Sequence, residues 1–181
     1  MENTLNKTKW ALDNAHSEVQ FKIKHLVIST VTGTFNTFSG TLESNGENFE
    51  NANVEFTVDV NSIETNNPDR NTHLKSDDFF AADKYPQIKF VSSSMTKKSD
   101  EEYELVGNLT IRDVTKPITL KANYGGQIVD PWGNTKIGFE VEGKLNRKEY
   151  NLLWSAITES GGLVVSDEVK LHINIEFAKQ A

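Results

Sequence analysis

The residues best placed to do chemistry lie in one short segment that carries helix signals. Asn67 can cap the first turn of a helix, and Pro68 suits the first helical position because it has no N–H to leave unpaired. Spacings of three and four residues then place Arg70, His73 and Asp77 on one face. Such a face can act as an acid or base, bind a polar or phosphate head group, or anchor the segment to the rest of the fold.

The other candidate groups do not form a recognisable catalytic or metal-binding motif. His16, His25 and His172 lie far apart in the sequence, and the chain contains no cysteine. Local zinc-site spacing is therefore missing, and so are thiolate ligands and nucleophiles. The chain also lacks a Gly-x-Ser-x-Gly elbow and a glycine-rich nucleotide loop. The sequence predicts no metal and no catalytic residue.

The length of the chain and its net charge narrow the classes of partner that the protein is expected to bind. The 181 residues suit one domain spanning residues 1–181, and the net charge of −7 comes with scattered lysines and arginines. This pattern argues against nucleic acid and against a polybasic membrane patch, and favours an apolar small molecule or another protein. An exposed strand edge or the turn at Trp132 is a possible homodimer contact.

Two further features concern membranes and localisation. The sequence has no apolar run of about 20 residues, so stable membrane insertion is not expected. Its first residues, 1–7, lack the apolar stretch of a signal peptide, which favours a cytoplasmic protein. A chain whose leader had been trimmed would look the same and would be periplasmic or exported.

Alternation of apolar and polar residues is the strongest structural signal. Val54, Phe56 and Val58 alternate with polar neighbours, and about eight segments follow the same pattern. Strands that are apolar on one side predict an antiparallel sheet, and closure into a barrel removes its exposed edges. We therefore predict an all-β fold: a single extended eight-stranded antiparallel barrel, lipocalin-like, with a short helical insert around 67–82 and a second insert around 146–160.

The inward positions predict either a packed core or the wall of a ligand tunnel. Four of them are glycine (Gly33, Gly107, Gly143 and, after a shift of the alternation near Thr37, Gly40), which either bend strands or leave space inside. The side chains expected to face a ligand are Phe21, Ile23, Phe35, Phe56, Val58, Phe90, Leu109, Phe139, Trp154 and Ile173.

Separated motifs, in order, resemble the YceI-like family, which is described as polyisoprenoid-binding with a lipocalin-like barrel. The resemblance runs from about Trp10 to Phe177. It differs from the usual family pattern at Asn71, Lys136 and Asn151. Its motifs are Trp10…Asp13…His16-Ser17, Gly33…Phe35…Phe38-Ser39-Gly40, Arg70…His73-Leu74…Asp78-Phe79-Phe80, Asp130…Trp132-Gly133, Asn146-Arg147 and Ser166-Asp167-Glu168-Val169.

The resemblance implies that the barrel holds a long isoprenoid tail, such as that of a quinone or its precursor. We expect no cofactor to be required besides such a bound lipid. Polar groups at the mouth would then select the head group, or would latch the inserts in place; the candidates are Arg70, His73, Asp77 and Arg147. Two alternatives remain open. One is an enzyme that acts on such a ligand through His73 and Arg70, and the other is a protein-interaction module with a filled core.

Overall fold

The computed structural model describes residues 7–155 and 164–181. In this part of the chain no helix is long and apolar enough to span a membrane. The elements are β1 (Lys7–Leu12), β2 (Glu18–His25), β3 (Ser29–Phe35), β4 (Phe38–Asn45), β5 (Asn48–Asp59), β6 (Ile63–Glu64), α1 (Pro68–Lys75), β7 (Gln87–Lys97), β8 (Glu102–Ile111), β9 (Val114–Val129), β10 (Thr135–Asn146) and β11 (Val165–Lys179).

The strands close into an antiparallel barrel, as the sequence predicts. Eight of them form the ring in the order β1-β4-β5-β7-β8-β9-β10-β11, and β1 pairs with β11 to complete it. The ring satisfies the backbone groups that an open sheet would leave at its edges. Near one end of the barrel, β2, β3 and the short β6 extend the wall from β11.

Strand β11 changes partner along its length. Residues Phe177–Lys179 pair with β1, and the segment from Val165 to Asn174 pairs with β2. Between the two partners, a 3₁₀ turn breaks the wall, and the Asp13 N–H donates to the Glu176 carbonyl at 2.8 Å. Strands β3 and β4 are separated at residues 36–37, where the sequence pattern shifts phase.

Helix α1 begins as predicted, with the Asn67 side chain accepting from the Arg70 N–H at 3.0 Å and Pro68 in the first turn. It ends at Lys75, because Ser76 closes it with a hydroxyl that donates to the His73 carbonyl. The rest of the insert predicted around 67–82 forms turns instead of further helix. In the second predicted insert, residues 147–150 form a 3₁₀ turn, and residues 156–160 lie outside the described part.

Both inserts and the turn between β8 and β9 lie at the same end of the barrel, which we call the mouth. The opposite end carries the β4–β5, β7–β8 and β9–β10 turns. Two clusters of buried side chains fill the interior, and the larger one includes Trp10 and Phe49 from the end opposite the mouth.

Candidate functional site

An apolar cavity of about 180 Å³ occupies the half of the barrel nearer the mouth. Arg147 is the single charged residue in its wall within the described part of the chain. The lining residues are Val19, Phe21, Ile23, Phe35, Val54, Phe56, Val58, Phe79, Phe80, Ile88, Phe90, Leu105, Leu109, Ile111, Ile118, Leu120, Val141, Leu145, Arg147, Leu152, Val169, Leu171, Ile173 and Ile175.

The cavity is small for a long-chain ligand in this conformation. An apolar cavity of about 150 Å³ holds a benzene molecule, whereas pockets for drug-sized ligands span about 300–1,000 Å³. At about 180 Å³ the lumen holds a group of roughly benzene size without rearrangement. A longer tail requires side chains in the wall or the inserts at the mouth to move.

The inward glycines are covered by large side chains from neighbouring strands. Phe21 lies opposite Gly33, and a Cβ added at Gly33 would come within 2.1 Å of the end of the Phe21 ring. Phe56 covers Gly40 in the same way, and Phe90 covers Gly107. An edge of each ring occupies the space that a side chain on the glycine would fill, which leaves more of the lumen open. The glycines therefore widen the cavity indirectly.

Phe139 does not line the cavity, which corrects its expected place in the tunnel wall. Its ring centroid lies 5.4 Å from that of Phe49 and 5.3 Å from that of Tyr124. Phe49 also contacts Trp10 and Tyr103. This aromatic plug (Trp10, Phe49, Tyr103, Tyr124 and Phe139) fills the half of the barrel away from the mouth.

Trp154 lies at the mouth and is likewise not part of the cavity lining. Its ring centroid is 5.1 Å from that of His73 and 5.4 Å from that of Phe79, and His73 and Phe79 are 5.1 Å apart. Phe79 is itself a lining residue. The three rings therefore form an aromatic cluster that continues the cavity wall out to the surface.

His73 and Asp77 do not pair. His73 Nε2 lies 2.9 Å from Asp78 Oδ2, whereas the exposed Asp77 carboxylate is 3.9 Å from Lys84 Nζ. The predicted shared face fails because the helix ends at Lys75, so helical spacing no longer applies at Asp77. Asp78 takes the position beside the imidazole instead.

Arg70 is used to hold the insert against the wall. Its Nε donates to the Thr65 hydroxyl at 2.9 Å and its Nη2 to the Thr65 carbonyl at 2.5 Å. The side-chain carbonyl of Asn71, one of the departures from the family pattern, accepts from the Thr65 hydroxyl at 2.6 Å and from the Thr65 N–H at 2.9 Å. In the described residues Arg70 makes no hydrogen bond to His73, so the two do not form a joint catalytic pair.

Arg147 is 2% exposed and ties the second insert to β11. Its Nη1 donates to the carbonyls of Leu152 and Trp154 at 2.6 and 2.7 Å, and its Nε donates to the Ser166 carbonyl at 2.9 Å. Burial lowers the pKa of Arg147, and the Asp167 carboxylate opposes that shift. With its donors directed at backbone carbonyls, Arg147 positions the mouth rather than presenting a free cation to a ligand.

Arg112 joins the two inserts, although no sequence motif singles it out. It lies in the β8–β9 turn with a left-handed φ of 55°, and its Nη1 donates to the Phe79 carbonyl at 2.9 Å and the Asn151 carbonyl at 3.2 Å. A lone arginine in a polar turn carries no motif. Only the three-dimensional structure places it between the loops that frame the mouth.

A second polar cluster closes the break between β1 and β2. Asp13 Oδ2 lies 2.5 Å from Lys136 Nζ and 2.8 Å from His16 Nδ1, and Glu176 is 3.7 Å from the same ammonium. The hydrogen bond from Lys136 lowers the pKa of Asp13 to about 2 and raises that of Lys136, and the bond to Asp13 raises the pKa of His16. Although the Asp13, His16 and Glu176 ligand atoms lie close enough to hold a metal, Lys136 already supplies the positive charge there.

A closed antiparallel barrel with an apolar cavity under one end defines the class of small cavity-containing β-barrels. The YceI-like domain model matches residues 10–177, and the protein YceI of Salmonella newport is 40% identical over 168 residues, which cover 93% of this chain and 84% of that protein. The chain belongs to the YceI-like family.

Solved structures support the same fold. BcnA of Burkholderia cenocepacia superposes with a TM-score of 0.80 at 22% identity, covering 91% of this chain and 98% of that one. A polyisoprenoid binding domain from Saccharophagus degradans, implicated in plant cell wall breakdown, gives a TM-score of 0.73 at 16% identity, covering 94% of this chain and 98% of that domain. At these identities the likeness concerns the fold.

Proposed function

We propose that this protein binds and sequesters or carries a long apolar isoprenoid-like lipid, of the polyprenyl or quinone type, with its tail in the barrel. The observation that carries the proposal is the apolar cavity lined by aromatic side chains, three of which occupy the space beside inward glycines. Each buried methylene contributes about 0.8 kcal/mol without directional demands, so an apolar lumen holds a tail by burial alone. The polyisoprenoid-binding description of the Saccharophagus domain supports the same ligand class.

The mouth suits a flat, weakly polar head group better than a strongly anionic one. Arg70 and Arg147 direct their donors at protein oxygens, and His73 is packed edge-on between Phe79 and Trp154. Aromatic rings favour offset or edge-on contact with another planar ring. A quinone ring fits this surface, and the tail would pass Phe79 into the lumen.

The experiment that tests this function combines native mass spectrometry with ligand uptake. Protein extracted gently from its own host should carry a lipid mass, and purified empty protein should take up solanesol, a long polyprenol, from ethanolic dilution. Recovery of empty protein together with no uptake of solanesol or of a long-chain quinone would reject the proposal.

Gly33→Ala offers a specific variant for the same assay. The added methyl group would displace the Phe21 ring from the wall into the lumen, so we expect solanesol uptake to fall. Gly138→Ala is the matched control, because a Cβ there has no neighbour closer than 3.9 Å and its backbone is not left-handed. Equal uptake by the two variants would show that the lumen does not hold the ligand.

A further inference from the structure

Three apolar residues stand out at the tip of the β2–β3 hairpin. Val27 is 74% exposed and Ile28 is 86% exposed, and Leu26 precedes them at 38%. Polar or glycine residues are the usual occupants of such a tip. The exposure of these side chains therefore needs an explanation other than core packing.

The backbone at the tip is also unfavourable for these residues. Leu26 and Val27 have φ values of 53° and 64°, in the left-handed region that suits glycine and asparagine. For a β-branched residue such as Val27 this conformation is strained. Strain at an exposed apolar turn points to a selected surface rather than to a folding requirement.

The tip belongs to the mouth and continues the cavity wall. Phe21 and Ile23, on the same hairpin, line the cavity. At the base of the tip, His25 pairs with Val165 on β11. The next residue, Ser166, is bridged by Arg147 to the carbonyls of Leu152 and Trp154. Leu153, between those two residues, is 57% exposed. Apolar side chains from both sides of the mouth are thus available to one external surface.

From this arrangement we infer that the β2–β3 tip docks the mouth onto a lipid bilayer, where a tail can pass between membrane and lumen. The inference rests on the proposed lipid-binding function. A stable protein–protein interface buries about 800 Å² on each partner, which a three-residue tip does not supply. A bilayer accepts a few apolar side chains at its headgroup boundary without needing a complementary surface.

Flotation with phosphatidylcholine vesicles tests the docking independently of cargo. The variant Leu26→Asn/Val27→Gly/Ile28→Ser removes the apolar tip and places residues that suit the left-handed backbone, so it should fold at least as stably as the wild type. We expect it to float at least about five-fold less than the wild type, because binding scales with buried apolar area.

Trp132→Ser is the matched control, since Trp132 is 82% exposed on the β9–β10 turn at the opposite end. Its flotation should stay within about two-fold of the wild type, because its apolar area lies away from the mouth. The docking inference is overturned if the wild type does not float, if the tip variant floats as well as the wild type, or if Trp132→Ser is the only variant that no longer floats.

Solanesol uptake from ethanolic dilution, without vesicles, separates this inference from the proposed function. The tip variant should take up solanesol normally from dilution and slowly from vesicles. If the wild type takes up no solanesol from dilution, the proposed lipid-binding function is rejected, whatever the flotation result.

Discussion

The two halves of this barrel share the same strands and differ in how their interiors are filled. Away from the mouth, four aromatic residues meet around Phe49, which is 1% exposed. Near the mouth, six phenylalanines surround a cavity, and three of them lie against glycines. Aromatic content alone therefore does not decide whether a barrel is filled or open.

The difference comes from what stands beside each ring. Phe49 has other rings as neighbours, so its bulk points into the centre. Phe21 also has a ring neighbour, Phe35, at 5.5 Å, but it lies opposite Gly33 and its ring edge fills the space of the missing side chain. One half then supplies packing stability, and the other gives up packing for space that a ligand can fill.

Truncating one ring in each half should give the largest contrast. We expect Phe49→Ala to lower the free energy of unfolding by about 3–5 kcal/mol, as for other buried phenylalanines. Phe56→Ala, where one side of the ring already faces a cavity, should cost about 1–2 kcal/mol because fewer contacts are lost. Urea unfolding measures both. Equal costs would contradict the division into a packed half and an open half.

Arg147 should stabilise mainly the structure of the mouth. Arg147→Met leaves the buried carbonyl of Leu152 and the partly buried carbonyls of Trp154 and Ser166 without their donor, and we expect a loss of about 2–3 kcal/mol in the free energy of unfolding. Hydrogen exchange should accelerate in the second insert and remain slow around Phe49. Arg147→Lys keeps the charge but not the forked geometry, so it should restore little of the protection. Uniform acceleration across the barrel would show that the mouth is not a separate unit.

The smallest effect on the free energy of unfolding should come from Asp13, in the break between β1 and β2. Its pKa is about 2 in the folded protein against 3.8 for an unperturbed aspartate, so its stabilisation is complete above the higher value and is lost as the pH falls toward the lower one. Asp13→Asn should cost about 1–2 kcal/mol at neutral pH, after allowance for partial solvent screening. Melting curves of both proteins should converge between about pH 4 and pH 2. A pH-independent difference would assign the effect to packing.

The strands and the helix start could be predicted because they depend on local rules. Alternation across Val54, Phe56 and Val58 reflects the pleat, and capping by Asn67 needs only the next three residues. The helical face was predicted to reach Asp77, which was wrong, since α1 ends at Lys75 where the Ser76 hydroxyl donates to the His73 carbonyl. Asp77 was placed on the wrong side for the same reason.

The cavity could be predicted only in part because it depends on pairing between strands. The inward phase identified Phe21 and Phe56, but not that each would cover a glycine on the adjacent strand. The same phase made Phe139 look equivalent to them, although its cross-strand partner Tyr124 directs it into the plug. Arg112 carried no local signal, since its role depends on carbonyls far away in the sequence.

The central claim is that the half near the mouth, and not the aromatic plug, receives an apolar ligand. Quenching of tryptophan fluorescence by decylubiquinone tests it directly in a Trp132→Phe background, where Trp154 reports on the mouth and Trp10 on the plug. We predict saturable quenching that is lost in Trp154→Phe and retained in Trp10→Phe. Quenching that follows Trp10, or none that saturates, would contradict the account.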